Sequence, residues 1–138
     1  MRISPFFDTD EFECHDGTDV PDELFPNLQR LIEVLDPIRI RWGMPLHVVS
    51  GYRTPAWNKR VGGALESTHM TCEGVDIRPS RVFDTKELHD LILHVYNGGE
   101  LQLLGGLGEY KGWVHVDIKK ADDGHLRRWR GKGMGSER

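Results

Sequence analysis

Cysteine is scarce in this chain: Cys14 and Cys72 are the two among 138 residues. That count excludes a disulfide-stapled secreted scaffold and any four-cysteine zinc finger, and it leaves at most a single bridge between the pair. Long apolar runs are missing as well, and nothing approaches the ~18 consecutive apolar residues that a membrane span needs. The amino terminus, MRISPFFDTDEFECHDG, turns acidic where a secretory signal would carry its apolar stretch. The expectation is therefore synthesis in the cytoplasm without an export address. Repeats, low-complexity segments and Ser/Gly/Pro-rich linkers are absent too, which leaves one compact unit, expected over residues 1–130, with a polar tail at 131–138. At 38% hydrophobic and 29% charged residues the composition is that of a single soluble domain. A chain of this length buries roughly 68% of its unfolded surface and can stand without staples.

Charge is placed unevenly. Residues 1–23 hold eight acids against the single base Arg2, while 119–138 hold seven bases against three acids. A basic end can reach nucleic acid, but dispersed bases in a chain of net charge -4 read as a solvated terminus, so no nucleic-acid partner is expected.

Spacing then gives the elements. Apolar residues at Leu24, Leu28, Leu31, Ile32, Leu35, Ile38 and Trp42 fall three and four apart, which predicts an amphipathic helix stopped by Gly43 and Pro45, with Pro37 set to kink or divide it. LHVVSGY reads as a strand ending at a turn, PAWNKR as a brief helix and GVDI as a second short strand. Thr85 to Tyr96 is a second helix, with Asp84 as its N-cap, Glu87 completing a capping box, and Asn97-Gly98-Gly99 ending it. LQLLGGLGEY and WVHVDI predict an antiparallel hairpin. The amino-terminal FFDTDEFEC is expected to be irregular, anchored by Phe6, Phe7 and Phe12. Helices and strands mix without βαβ alternation, so the fold class is α+β, a small antiparallel sheet with flanking helices.

Three side chains stand out: His69, Asp76 and His115 are each of a metal-binding type and each sits beside a strand, although a histidine there, taken alone, reads more often as a hydrogen-bonded core or surface residue than as a ligand. Asp76 is the least ordinary, because a carboxylate between Val75 and Ile77 is costly to bury unless paired or metal-bound. Two imidazoles and one carboxylate around a tetrahedral zinc ion leave the fourth position to water, whose pKa falls toward ~7. Within WVHVDI, strand alternation puts Trp113, His115 and Asp117 on one face and Val114 and Val116 on the other.

The segment SGYRTPAWNKRVGGALESTHMTCEGVD, from Ser50 to Asp76, followed by GEYKGWVHVDI, resembles the M15 family of zinc D-Ala-D-Ala carboxypeptidases and related peptidoglycan peptidases, in its short phage and bacterial branch. The resemblance implies a hedgehog/DD-peptidase-like fold, Zn2+ held by His69, Asp76 and His115, and a peptidoglycan peptide as substrate. It implies Arg53 at the substrate, where a guanidinium suits a carboxylate or a polarised carbonyl, and Ser67 either on the bound peptide or capping its own loop. Members place a Glu or His base two or three residues before the last ligand, positions that are Trp113 and Gly112 here. The remaining acids are Glu109, Asp117, Glu66 and Glu73. Glu109 is preferred as base, reaching across the hairpin, and Asp117 as a support that holds a ligand imidazole. Cys72 and Gly74 replace the family's usual glycine and alanine, and Cys72 is either a stray ligand or a buried inert thiol. The expected protein is a monomer acting at the cell wall, in the periplasm or in a phage particle. The rival readings are a zinc-holding module without catalysis and nucleic-acid binding through RRWRGK.

Overall fold

The computed structural model describes residues 1–131 and residue 134, so the expected tail lies outside the described residues except at Gly131 and Met134. The first long helix, α1 (Phe25–Trp42), buries Leu28, Leu31, Ile32, Leu35 and Ile38 on one face, as the three-and-four spacing requires. Pro37 neither divides nor ends it. The carbonyl that loses a partner to this proline belongs to Glu33, which is exposed, so water can satisfy it. Gly43 closes the helix at φ +76°, with its N–H on the Arg39 carbonyl.

Strand β1 (Leu46–Ser50) and the short helix α2 (Pro55–Arg60) follow, the latter capped by the Thr54 hydroxyl on the Trp57 N–H. Then come β2 (Gly74–Pro79), α3 (Thr85–Asn97), β3 (Gly106–Glu109), β4 (Val114–Asp117) and β5 (Arg127–Arg130). The capping box expected at Asp84 does not form. A 3-10 turn, Val82–Asp84, runs straight into α3, so Asp84 lacks the extended backbone of a cap and its carboxylate meets Arg81 Nε at 3.1 Å instead. A capping box does occur at the amino terminus, where Asp8 and Glu11 bracket a 3-10 turn, Thr9–Phe12, in the stretch expected to be irregular.

The five strands form one sheet in the order β1-β2-β4-β3-β5. Its first three pairings are antiparallel, as expected, but β5 joins β3 in parallel, so the sheet is mixed. No strand was expected in the RRWR segment, which stood out for its charge and as a weak echo of the family pattern. Alternation divides the sheet into two unlike faces. Val75, Ile77, Leu107, Val114 and Val116 are fully buried and belong to the same core as α1 and α3, through Leu28, Leu35, Leu88 and Ile92. The opposite face carries Asp76, His115, Asp117, Arg127 and Trp129. Glycine at 108 makes room on that face, since a Cβ there would come within 2.6 Å of the Trp129 ring.

The amino-terminal segment is part of the core. Phe7 and Phe12 pack edge to face with centroids 5.9 Å apart, both buried, and Phe6 packs against the core under the Arg39 guanidinium. The Phe12 carbonyl accepts the Tyr52 N–H at 2.8 Å, which fastens this segment to the SGYR turn.

Both cysteines are free and buried, so the possible bridge is not made. Cys72 adopts φ +57°, a left-handed backbone that favours glycine, which accounts for the residue usual at this position in the resemblance. Burial pushes its thiol up to about 12, with the charge of Glu73 adding to the effect.

Two outcomes follow from this packing. Phe12→Ala is expected to cost about 3–5 kcal/mol of stability, measured as a shift in chemical denaturation. A thiol reagent should modify neither cysteine in the native protein at neutral pH and both after unfolding; rapid native labelling of Cys72 would contradict the burial described here.

Candidate metal centre

Register decides what this site can be. On the antiparallel β2–β4 pair, Asp76 stands directly opposite His115, and the two side chains share the face turned away from the helices. Asp76 Oδ1 lies 2.9 Å from His115 Nδ1, and its Oδ2 lies 3.4 Å from His69 Nε2. His69 comes from the loop before β2. Its backbone N–H donates to the Ser67 hydroxyl at 3.2 Å, and its ring Nδ1 donates to the Gly51 carbonyl at 2.7 Å. Ser67 therefore caps its own loop. The His69 carbonyl in turn accepts the Arg53 N–H, so this loop and the SGYR turn hold each other.

His69, Asp76 and His115 are all buried, and their ligand atoms lie within 4.8 Å of one another. Hydrogen bonding assigns the ring nitrogens. With Nδ1–H of His69 spent on Gly51, its Nε2 lone pair faces Asp76. His115 Nε2 lies 2.8 Å from Asp117 Oδ2, which accepts its N–H and leaves Nδ1 turned toward Asp76. Two imidazole nitrogens and a carboxylate oxygen thus converge from separate segments, and this donor set fits a divalent transition metal. Without an ion, the cationic part falls to a proton. Burial disfavours charge on His115, yet hydrogen bonds to Asp117 and Asp76 raise its pKa above the ordinary imidazole value. Burial would likewise lift the Asp76 carboxyl, but its contacts with the His115 and His69 rings outweigh it and hold it well below the usual carboxylate range.

The group sits in an open cleft of about 480 Å³ whose lining includes Arg53, Glu66, Tyr110, Trp113 and Trp129. Arg53 Nη2 lies 3.6 Å from Asp76 Oδ2, while Nε and Nη1 donate to Ser50 and to Asn58 at 3.2 Å, so its planar fork is fixed beside the group. Tyr110 and Trp113 stack with centroids 4.9 Å apart, and Trp129 Nε1 donates to the Tyr110 hydroxyl.

The acids separate. Glu109 is not at the metal group: its register partner is Val114, and the residue opposite His115 is Gly108. Alternation therefore sends the Glu109 side chain to the helix-covered face, where it lies 3.6 Å from Arg130 and lines a cavity with Val82, Phe83 and Lys86. The hairpin forms as expected, but in this register residues on one face are an odd number apart, and Glu109 and His115 are six apart. Asp117 is 1% exposed and hydrogen-bonded through both oxygens, to His115, Arg127 and the Lys119 N–H. Burial would raise its pKa, but the His115 and Arg127 bonds hold it low. It is placed to orient an imidazole rather than to receive a proton. Glu73 accepts the Thr71 hydroxyl and lines a different cavity. Glu66 is the cleft carboxylate that remains. Cys72 lies in the core, outside the cleft lining.

Arg127 and Trp129 had not been singled out as site residues. Their signal was alternation in RRWR, which puts both on one strand face, masked by the basic run around them. Within the described part of that run, Arg127 is bound to Asp117 and Arg130 lies against Glu109, while Arg128 is exposed.

Among the described residues, no helix is long and apolar enough to cross a membrane. Comparison with curated proteins and with solved structures finds no match. A family model does match: the one described as Peptidase M15 aligns with residues 6–117, a span that takes in all three convergent ligands and the Asp117 behind them. With most of its length accounted for in this way, the chain belongs to the peptidase M15 family.

Proposed function

We propose that this peptidase uses zinc to hydrolyse a peptide bond of bacterial peptidoglycan, next to a D-amino acid. The observation that carries the reading is the convergence of His69, Asp76 and His115 beside a fixed arginine in an open cleft. Two nitrogens and one carboxylate oxygen suit zinc with its fourth position open to solvent. Such an ion supplies Lewis acidity, drawing the pKa of a water toward ~7 and polarising a carbonyl.

The residues of the chain do the rest. His69 and His115 present lone pairs because Gly51 and Asp117 take their other N–H groups. Arg53, held by Ser50 and Asn58, aims its donors at the edge of the group, where charge would build on a carbonyl oxygen or where a peptide carboxylate would dock. Tyr110, Trp113 and Trp129 line the cleft with flat apolar surface against which a peptide stem can pack. Glu66, on the exposed loop at the rim, is the acid left to accept the proton of the attacking water.

A second reading, a module that keeps the ion without turnover, is favoured by Trp113 and Gly112 standing where related enzymes carry an acid or histidine. Peptide release from purified cell wall, followed beside zinc stoichiometry, separates the two. The expected result is one zinc per chain and release that stops with chelator and returns with zinc. His115→Ala should lower release by about a thousand-fold and Arg53→Lys by ~10²–10³. Glu66→Gln should leave zinc content unchanged and lower turnover by ~10²–10⁴. Stoichiometric zinc with no release from any wall preparation would establish the module and refute the peptidase assignment.

A further inference from the structure

The residue that completes the centre lies on the last strand, beyond the three ligands. We infer that Arg127 is a positioning residue: it clamps Asp117 as a carboxylate and thereby fixes the imidazole of His115 with its proton on Nε2 and its lone pair on Nδ1. The inference rests on the metal reading above.

The hydrogen bonds around Asp117 leave it no alternative role. Arg127 Nη2 donates to Oδ1 at 2.5 Å and to Oδ2 at 2.6 Å, and the Lys119 N–H donates to Oδ1 at 3.0 Å. His115 Nε2 lies 2.8 Å from Oδ2, with the Thr68 hydroxyl a more distant neighbour of that nitrogen at 3.4 Å. A carboxylate surrounded by cationic and amide donors can only accept, so the proton between it and His115 resides on the imidazole. Nδ1, on the far side of the ring, is then available where Asp76 and His69 converge.

Arg127 is itself held in place. Its Nε donates to the Lys119 carbonyl at 2.8 Å, so the guanidinium grips the backbone just past β4 and the carboxylate together. Its planar group lies over Trp129, 5.3 Å from the ring centroid. Room for the pair is made by Gly106, which stands in register with both Asp117 and Arg127; a Cβ there would collide with the carboxylate and the guanidinium. Three strands therefore cooperate on one nitrogen lone pair: β4 brings His115 and Asp117, β5 brings Arg127, and β3 leaves the gap between them.

Without Arg127 the Asp117 carboxylate would keep the Lys119 N–H but lose the donor that grips both its oxygens, and Oδ2 would no longer be held where it fixes the His115 ring and the nitrogen turned toward the ligand group. Lysine would restore charge but not the simultaneous grip on Asp117 and the Lys119 carbonyl.

The test uses the whole chain, with zinc as the probe. Chelator competition should show zinc held about 10–100-fold more weakly by Arg127→Gln than by the unaltered protein, with Arg127→Lys in between. Nitrogen-15 spectra of the histidine rings should show His115 protonated on Nε2 in the unaltered protein, both zinc-loaded and metal-free at a pH where the ring is neutral, and a shift toward Nδ1–H in Arg127→Gln. Equal zinc affinity in Arg127→Gln together with an unchanged tautomer would overturn the inference. Should Arg127→Gln fail to fold, the spectrum of the unaltered protein decides, since a proton on His115 Nδ1 overturns it directly. Should the unaltered protein bind no zinc, the metal reading falls, and the tautomer of the metal-free protein still judges the clamp.

Discussion

The pairing of Asp76 with His115 across β2 and β4 is the constraint on which the other features depend. Strand side chains alternate, so a slip of one residue in this register would turn His115 into the helix-covered core and bring Val114 or Val116 out toward the cleft. What prevents the slip is the opposite face of the same strands. Val75, Ile77, Val114 and Val116 are fully buried against the helices, and exposing them would cost on the order of 1.5–3 kcal/mol each. The apolar half of each strand thus holds the polar half in place. The polar half is destabilising to assemble, because it brings two imidazoles and two carboxylates into a buried cluster. It is tolerated because every one of those groups has a partner.

Much of this was legible in the residues. The helices appear from three-and-four spacing, and the hairpin from alternation around Tyr110-Lys111-Gly112. A buried carboxylate in GVDI announced a partner before any partner was visible. His69, Asp76 and His115 were recognisable through the order and spacing of the surrounding motifs, and the folded chain brings their ligand atoms together. The limits lie where a local signal has more than one structural meaning. Asp84 and Glu87 have the spacing of a capping box, but the 3-10 turn that precedes α3 removes the extended backbone such a cap requires. Glu109 could be placed across the hairpin from His115 only without the register, which depends on the exact length of the turn.

The last strand is the clearest case of a signal lost in composition. RRWR sits in a stretch whose net charge reads as a solvated end, and four residues are too few for alternation to stand out. Its pairing is parallel and lies beyond the hairpin, so no turn motif points to it. Yet this strand supplies both the aromatic ring over His115 and the guanidinium behind Asp117. The left-handed backbone at Cys72 was equally hidden, because a cysteine in that loop invites an argument about thiol chemistry when the position is governed by dihedral angle.

The centre is also distributed very widely along the polypeptide. His69, Asp76 and His115 are followed only at residue 127 by the arginine that steadies the last imidazole. During synthesis, a ribosome must therefore release nearly all of the described chain before these groups can assemble. A product ending after β4 would lack both the guanidinium that grips Asp117 and the Trp129 ring beside His115.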